Sequence, residues 1–254
     1  MTYRVHSIFD TLQGEGGRSG ARSIFVRLSG CNAWNGRPQD RHKGKAACAK
    51  WCDTSFATGD AMRVDEIVSA CSELWPSSTR TYHSPGYVVI TGGEPCLQLE
   101  ESLVQELHRA AFYVAVETNG SVESAALSLA DWVTVSPKKG LPMKVTHGNE
   151  LKVVYPGAVD GAGWTEADLK RMSETTHFNF RYIQPQDVID ADMVERTYLH
   201  GNLAQITRKV GGAVFDLAQA RSTYDANLKA CVDFAKRNGD WRVSIQSHKL
   251  IGVP

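Results

Sequence analysis

Short runs of β-branched and aromatic residues alternate along this chain with segments whose apolar residues recur at helical spacing. Runs of the first kind predict strands, and segments of the second kind predict amphipathic helices, most clearly over residues 64–75 and 97–111. This alternation is typical of parallel βα units and indicates an α/β fold. The predicted strands cover residues 23–28, 87–90, 113–116, 132–135, 151–155, 180–183 and 242–245.

Polar residues follow six of these seven predicted strands, at the point where each strand ends. Because the carboxyl ends of parallel strands share one face of a barrel, we expect these segments to converge on one pocket. A series of ordinary turns would explain Gly, Pro and Asn there, but the repeated Glu, Gln, Lys and His favour a site. The segments are 29–31, 91–95, 117–120, 136–138, 184–187 and 246–249.

Three cysteines, Cys31, Cys48 and Cys52, come directly after the first predicted strand. Three thiolates can bind three irons of a 4Fe-4S cluster and leave the fourth iron open for a small molecule. Two alternatives remain, a zinc site completed by His42 and thiols that bind no metal.

The other cysteines have a structural explanation. Cys71 and Cys231 lie on the apolar stripes of predicted helices, where a buried thiol needs no functional role. Cys96 follows Pro95 close to the predicted site, and we also interpret it as structural.

The segment from Thr91 to Pro95 reads Thr-Gly-Gly-Glu-Pro. Gly92 and Gly93 remove side chains where a strand end approaches a ligand, and Pro95 ends the strand. Glu94 either accepts hydrogen bonds from an ammonium group or is buried by local donors. As an isolated motif the segment is only a weak indication of function. Its position after the three cysteines makes it a strong indication of a cosubstrate site.

Composition restricts the remaining possibilities. The chain has 254 residues, 42% of them hydrophobic, which is enough for one α/β domain with a substantial core. Its 28 basic residues equal its 28 acidic residues, so we expect no direct nucleic-acid binding. The amino terminus has no apolar signal segment and no run is long enough to span a membrane, so we expect a cytoplasmic protein with free thiols.

These motifs resemble the radical S-adenosylmethionine (SAM) superfamily, and the chain resembles in particular its 7-carboxy-7-deazaguanine synthase family. The resemblance implies a partial (β/α)6-type TIM-like barrel with parallel strands. It also implies a single radical SAM domain over residues 1–254, with insertions near 36–50, 139–150 and 188–240. The matching segments are 12–16, 31–32, 52–54, 91–95, 117–120, 136–138, 184–187 and 246–254.

The resemblance implies a lyase that converts 6-carboxy-5,6,7,8-tetrahydropterin to 7-carboxy-7-deazaguanine with loss of ammonia, in queuosine and 7-deazapurine biosynthesis. Its implied cofactors are a 4Fe-4S cluster, SAM and Mg2+. An alternative is a radical SAM activating enzyme that acts on a protein partner. Such an enzyme would share the cluster motif but lack the substrate motifs found near both ends of this chain.

The resemblance also assigns site residues. Cys31, Cys48 and Cys52 match cluster ligands, Thr54 matches a Mg2+ ligand, and Glu117 and His248 are catalytic candidates. The residues that match SAM-binding positions are Gly93, Glu94, Ser136, Pro137, Lys138, Gln184, Pro185, Gln186 and Asp187. The residues that match substrate positions, or neighbour them, are Leu12, Gln13, Gly14, Glu15, Arg27, Thr91, His248 and Pro254.

Two of these assignments have physical alternatives. The Arg27 guanidinium suits a substrate carboxylate because it can donate two parallel hydrogen bonds, but an ordinary strand-edge ion pair is the alternative. His248 fits a position in the core as well as a substrate contact.

The chain departs from the family pattern in the cysteine loop. Three residues separate Cys48 from Cys52, where the family usually has two, and a local bulge or turn is expected to absorb the extra residue. The preceding insertion is basic and is expected to be a solvated loop, with docking of a flavodoxin-type electron donor as the weaker hypothesis. The resemblance also implies a homodimer.

Overall fold

The computed structural model describes residues 2–80, 85–157, 163–187, 194–199, 202–207 and 217–253. Its strands are β1 (Thr2–Leu12), β2 (Arg22–Leu28), β3 (Asp60–Arg63), β4 (Gly86–Gly92), β5 (Phe112–Thr118), β6 (Trp132–Val135), β7 (His147–Tyr155), β8 (His177–Pro185), β9 (Val194–Leu199), β10 (Asn202–Thr207) and β11 (Trp241–Val243). Its α-helices are α1 (Val64–Leu74), α2 (Glu101–Arg109), α3 (Glu166–Thr175), α4 (Leu217–Arg237) and α5 (Ser247–Ile251).

Nine of these strands form one sheet in the order β11-β8-β7-β6-β5-β4-β2-β1-β3. The strands from β11 to β2 pair in parallel, and all seven correspond to the strands predicted from the sequence. β1 pairs antiparallel with β2 and β3 and extends the sheet beyond the predicted parallel part. Because the end strands β11 and β3 do not pair in the described part of the chain, the sheet is a partial barrel.

Side chains along each strand point alternately to the apolar core and to the inner face of the sheet, where the site lies. On β5, Val114 and Val116 pack in the apolar core against helix α2, and on β7, Leu151 and Val153 pack in a second core cluster. Successive strand residues point to opposite faces, so Lys152 of β7 projects to the inner face of the sheet. The inner face therefore carries polar side chains although the outer face is apolar.

The helices follow the predicted pattern with one difference. α1 covers most of the predicted 64–75 segment, and Cys71 and Cys231 are fully buried as expected. The helix predicted over 97–111 is shorter, because a 3-10 helix at Pro95–Leu97 precedes α2. Cys96 is also buried.

Some predicted features lie outside the described residues. They are Pro254 and, within the third insertion, residues 188–193, 200–201 and 208–216. The division into a single domain with three insertions stays a prediction. Among the described helices, none combines the length and the apolar character needed to cross a bilayer.

Candidate active site

Two adjoining cavities lie at the carboxyl ends of the parallel strands. The first, of about 160 Å³, is lined by Cys31, Cys48 and Cys52 and is called the thiol cavity. The second, of about 480 Å³, is lined by Arg27 and is called the arginine cavity. All six polar segments predicted at strand ends contribute to one cavity or both. The residues that line both cavities are Glu15, Asp53, Thr54, Thr91, Glu117 and Gln246.

Cys48 and Cys52 lie at the two ends of one helical turn. Cys48 belongs to a 3-10 helix at Ala47–Lys50, and the Cys52 N–H donates to the Cys48 carbonyl oxygen at 2.7 Å. Both side chains line the thiol cavity. The turn therefore absorbs the additional residue between these cysteines.

Arg41, in the basic insertion, stabilises this turn. Its guanidinium donates to the carbonyl oxygens of Ala49 and Cys52, each at 2.9 Å. It also lies 4.8 Å from the ring centre of Trp34, within range of a cation–π contact. The insertion is therefore not only a solvated loop, because one of its arginines packs against the cysteine turn.

Burial raises the pKa of all three thiols, and it raises the pKa of Cys48 to about 12. The positive charge of Lys138 opposes this effect at Cys48. The free thiols are therefore protonated near neutral pH, and a metal must displace their protons to bind.

The thiols are not placed as the ligands of one metal ion in the described part of the chain, since no three His, Cys, Asp or Glu side chains there are arranged to hold one. Ligands of a single zinc crowd within about 2.3 Å of it, whereas thiolates on separate irons of a cube lie further apart. His42 does not line the thiol cavity, so the zinc alternative is not supported.

Gly92 and Gly93 allow two strand ends to approach closely. A Cβ on Gly92 would lie 2.1 Å from the Leu28 carbonyl oxygen, and one on Gly93 would lie 2.2 Å from the Gly30 carbonyl oxygen and 2.7 Å from Cys31 Cβ. From the sequence alone, these glycines are expected to allow the approach of a ligand. The structure shows that the backbone after β2 occupies this space, so the glycines also fix the cysteine loop against β4.

Glu94 is fully buried and satisfied by local donors. It accepts from the Cys96 N–H at 2.9 Å, the Thr118 hydroxyl at 2.6 Å and the Asn119 N–H at 2.6 Å. Burial raises the pKa of Glu94 and these donors oppose the rise. The geometry therefore matches burial by local donors rather than contact with an ammonium group.

Arg27 presents its guanidinium to the arginine cavity. Within the described residues it forms no hydrogen bond or ion pair, and its guanidinium lies 5.7 Å from the ring centre of Phe9. Burial lowers the pKa of Arg27, and the negative charges of Glu117 and Asp53 oppose that change. The strand-edge ion pair considered as an alternative is thus not formed within this part of the chain.

A buried lysine joins two carboxylates at the boundary between the cavities. The Lys152 side chain is 4% exposed, and its Nζ lies 2.5 Å from Glu15 Oε2 and 3.6 Å from Glu117 Oε2. Gln184 and Gln246 donate to Glu15 Oε1 at 3.0 and 2.7 Å. The conformation of Glu15 is therefore fixed by donors from three different strands or strand ends.

Lys249 links three segments around the site. Its Nζ pairs with Asp53, beside the cysteine turn, and with Asp187, at the end of β8, the latter at 3.1 Å. Burial lowers the pKa of Lys249, but the two carboxylates outweigh burial and raise it. The C-terminal helix α5 is thereby fixed over the cavities.

The two cavities divide the predicted site residues between them. The predicted SAM residues that line the thiol cavity are Gly93, Ser136, Lys138, Gln184, Pro185 and Asp187. Glu94, Pro137 and Gln186 line neither cavity. The predicted substrate residues that line the arginine cavity are Leu12, Gln13, Gly14, Glu15, Arg27, Thr91 and His248. The candidates Thr54 and Glu117 border both cavities.

Sequence reasoning did not single out Lys152. A lysine inside an otherwise apolar run of a central parallel strand was the available signal, because such strands are normally buried on both faces. Its partner Glu15 lies 137 residues away, so the sequence could not identify the pair.

Comparisons with known proteins identify the family. No family model matches the chain. Proteins named 7-carboxy-7-deazaguanine synthase match it over 100% of both chains, with 36% identity in Burkholderia multivorans, 34% in Caulobacter vibrioides and 36% in Nitratidesulfovibrio vulgaris. This chain belongs to the 7-carboxy-7-deazaguanine synthase family. The crystal structure of QueE from Escherichia coli shares its fold, with a TM-score of 0.62 and 21% identity over 98% of this chain and 95% of that one.

The thiol cavity of this member of the synthase family fits an iron–sulfur cofactor. It contains three thiols and the Trp51 side chain, whose indole N–H is buried without an acceptor among the described residues. The sulfur atoms of a cluster accept hydrogen bonds, so a bound cluster would satisfy such a donor. The donor set and the unpaired N–H both agree with cluster binding.

Proposed function

We propose that this chain catalyses the conversion of 6-carboxy-5,6,7,8-tetrahydropterin to 7-carboxy-7-deazaguanine with release of ammonia. The observation that carries the proposal is that the thiol cavity and the arginine cavity adjoin and have six lining residues in common. A cosubstrate held in the first cavity therefore borders a small molecule held in the second. Family membership identifies the reaction that such an arrangement performs.

The thiol cavity supplies the binding groups for the cofactors. Cys31, Cys48 and Cys52 would hold the 4Fe-4S cluster, and SAM would contact Gly93 and Lys138 among the lining residues. When bound, these cofactors supply the radical chemistry that removes a hydrogen atom from the substrate. The protein orients the reactants and limits the access of water to them.

The arginine cavity supports a small carboxylated substrate. Its volume of about 480 Å³ is within the usual range for small-molecule sites. The unpaired guanidinium of Arg27 can donate two parallel hydrogen bonds to the substrate carboxylate. The alternative, an activating enzyme for a protein partner, is not favoured because the cavity is of small-molecule size and residues from both ends of the chain line it.

Thr54 is the proposed Mg2+ ligand. It borders both cavities, and its neighbour Asp53 pairs with Lys249. Magnesium keeps several water ligands and often takes oxygen atoms from its substrate. A single hydroxyl beside the substrate cavity is consistent with this preference.

Anaerobic reconstitution tests the proposal. The protein is loaded with iron and sulfide, its cluster is verified by absorbance and iron content, and SAM, a reductant, Mg2+ and the carboxypterin are supplied. We expect 7-carboxy-7-deazaguanine and ammonia in equal amounts, measured by mass spectrometry and an ammonia assay. Absence of both products from a sample with a verified cluster would overturn the proposal.

The Arg27→Met variant tests the role of the carboxylate. Loss of a charge-assisted hydrogen bond should raise KM roughly 10- to 100-fold. With the wild type, a substrate that lacks the carboxylate should show a similar rise in KM. With R27M, removal of the carboxylate should raise KM no further. The control is Arg109→Met, which removes a guanidinium that is 68% exposed in an ion pair with Glu106. If wild type and R27M showed the same ratio of KM values for the two substrates, the assignment of Arg27 to the substrate carboxylate would be contradicted.

Partners and location complete the proposal. The family resemblance supports a homodimer. Exposed basic residues in the cysteine-loop insertion support docking of a flavodoxin-type electron donor, since such a donor is acidic. The six free thiols support a reducing, cytoplasmic location. Sedimentation analysis, a cross-linking assay with reduced flavodoxin and cell fractionation test these three points separately.

A further inference from the structure

Lys152 occupies an unusual position for a charged residue. It lies inside β7, between Leu151 and Val153 of the apolar core, and its side chain is 4% exposed. A lone ammonium at such a position would cost several kcal/mol relative to water, so the position needs compensating negative charge. Glu15 and Glu117 supply that charge at the boundary between the two cavities.

Each carboxylate has a further set of donors. Glu15 Oε1 accepts from the amides of Gln184 and Gln246, while its Oε2 accepts from Lys152. Glu117 Oε1 accepts from the amide of Gln13 at 2.8 Å, which leaves its Oε2 facing the ammonium at 3.6 Å. Lys152 is thus the cation that both carboxylates share.

The ammonium cannot itself act as an acid near neutral pH. Burial lowers the pKa of Lys152, but the charges of Glu117 and Glu15 outweigh burial and raise it far above its ordinary value. Burial likewise raises the pKa of Glu15, and the charge and hydrogen bond of Lys152 outweigh burial and lower it. The pair therefore stays ionised over the whole physiological range.

We propose that Lys152 is a positioning residue for turnover, whose fixed charge keeps Glu15 and Glu117 as hydrogen-bond acceptors at the edge of the substrate cavity. An ionised carboxylate only accepts hydrogen bonds, so the site presents acceptors to N–H donors of a substrate. This inference rests on the proposed function, because it concerns the same cavity. It assigns a role to Lys152, which lines the thiol cavity beside Glu15 and Glu117.

Neutral variants of Lys152 test the inference in the reconstituted holoenzyme. Lys152→Met removes the charge at similar volume, Lys152→Gln keeps an N–H donor without the charge, and Lys152→Arg keeps the charge. The control is Lys229→Met, because Lys229 is 78% exposed in an ion pair on α4. Measurements are the cluster content, the melting temperature, the equilibrium binding of the carboxypterin in the absence of SAM, and the pH profile of kcat/KM.

The neutral variants should bind the substrate roughly 10- to 100-fold more weakly, and K152R should recover part of this loss. The pKa of Glu15 should rise in K152M, so the acid limb of kcat/KM should move to higher pH. The sign follows because activity requires the ionised carboxylate and is lost as the pH falls through its pKa. The charged groups that face Glu15 from the surrounding elements are Lys152, Glu150, Glu117, Arg27 and His248.

The outcomes separate this inference from the proposed function. If the wild type forms no product, the proposed function fails, and substrate binding by the variants still decides the role of Lys152. Unchanged binding and an unchanged pH profile in a folded, cluster-loaded K152M or K152Q would overturn the inference. Failure of both neutral variants to fold would make Lys152 a requirement for folding and would also overturn it.

Discussion

Gly14 and His248 lie side by side in the wall of the arginine cavity, and a Cβ on Gly14 would lie 1.9 Å from Nδ1 of the imidazole. Ser247 strengthens the same contact, because its N–H and its hydroxyl both donate to the Gly14 carbonyl oxygen at 2.9 Å. The loop after β1 and the C-terminal helix therefore meet at a residue that must lack a side chain.

Gly14→Ala should displace His248 and α5 from the cavity. We expect KM to rise roughly tenfold or more, with a smaller effect on cluster content, because this contact borders the arginine cavity and not the thiols. Steady-state kinetics and an iron assay measure the two effects. Gly239→Ala is the matched control, since a Cβ there would meet nothing within 4 Å. Equal KM values for both variants would contradict this account of Gly14.

Gly93→Ala should act on the cysteine loop. The added Cβ would meet the Gly30 carbonyl oxygen and Cys31 Cβ, so the loop must move away from β4. We expect fewer than four irons per chain after reconstitution and a lower melting temperature, with no such loss in G239A. A full cluster in G93A, measured by iron and sulfide content, would show that the loop tolerates the displacement.

Arg41→Met should loosen the turn that carries two of the three thiols. The variant loses two hydrogen bonds to backbone carbonyl oxygens, worth about 1–3 kcal/mol together. Urea unfolding should show this loss in the free energy of unfolding, and cluster loss in the presence of a chelator should become faster. Lys43→Met is the control, because Lys43 lies in the same insertion but is 67% exposed. Equal chelation rates in R41M and K43M would argue against the role of Arg41.

The apo-protein should lose stability in alkaline solution. Burial raises the pKa of Cys48 from 9.0 to about 12, so the folded state holds this proton more tightly than the unfolded state. The resulting stabilisation is fully present below pH 9 and is lost as the pH rises towards 12. Melting temperatures from pH 7 to 11 should therefore fall less steeply in Cys48→Ser than in the wild type. If the melting temperatures of the two proteins fell equally with pH, the raised pKa of Cys48 would be contradicted.

The sequence predicted the parallel strands well because each contains a short run of β-branched and aromatic residues. It did not predict β1 or β3, whose antiparallel pairing depends on contacts with β2 and with each other rather than on a βα repeat. The carboxyl ends of the strands were a reliable guide to the cavities, since a parallel sheet brings them to one edge.

Side-chain partners were less predictable. The sequence left two roles open for Glu94, contact with a ligand ammonium or burial by local donors, and its three donors in the folded chain distinguish them. The role of Gly92 likewise depends on the position of Leu28 in the folded chain. Lys152 needed partners from distant segments. Each case depends on tertiary contacts that one-dimensional spacing does not encode.

The helical turn from Cys48 to Cys52 has a consequence for recognising such enzymes from genomes. A regular-expression filter that requires two residues between the last cysteines would discard this sequence, although an i to i+4 hydrogen bond brings its thiols to the same cavity. Criteria written for the three-dimensional placement of the sulfurs, rather than for a fixed gap, would retain it.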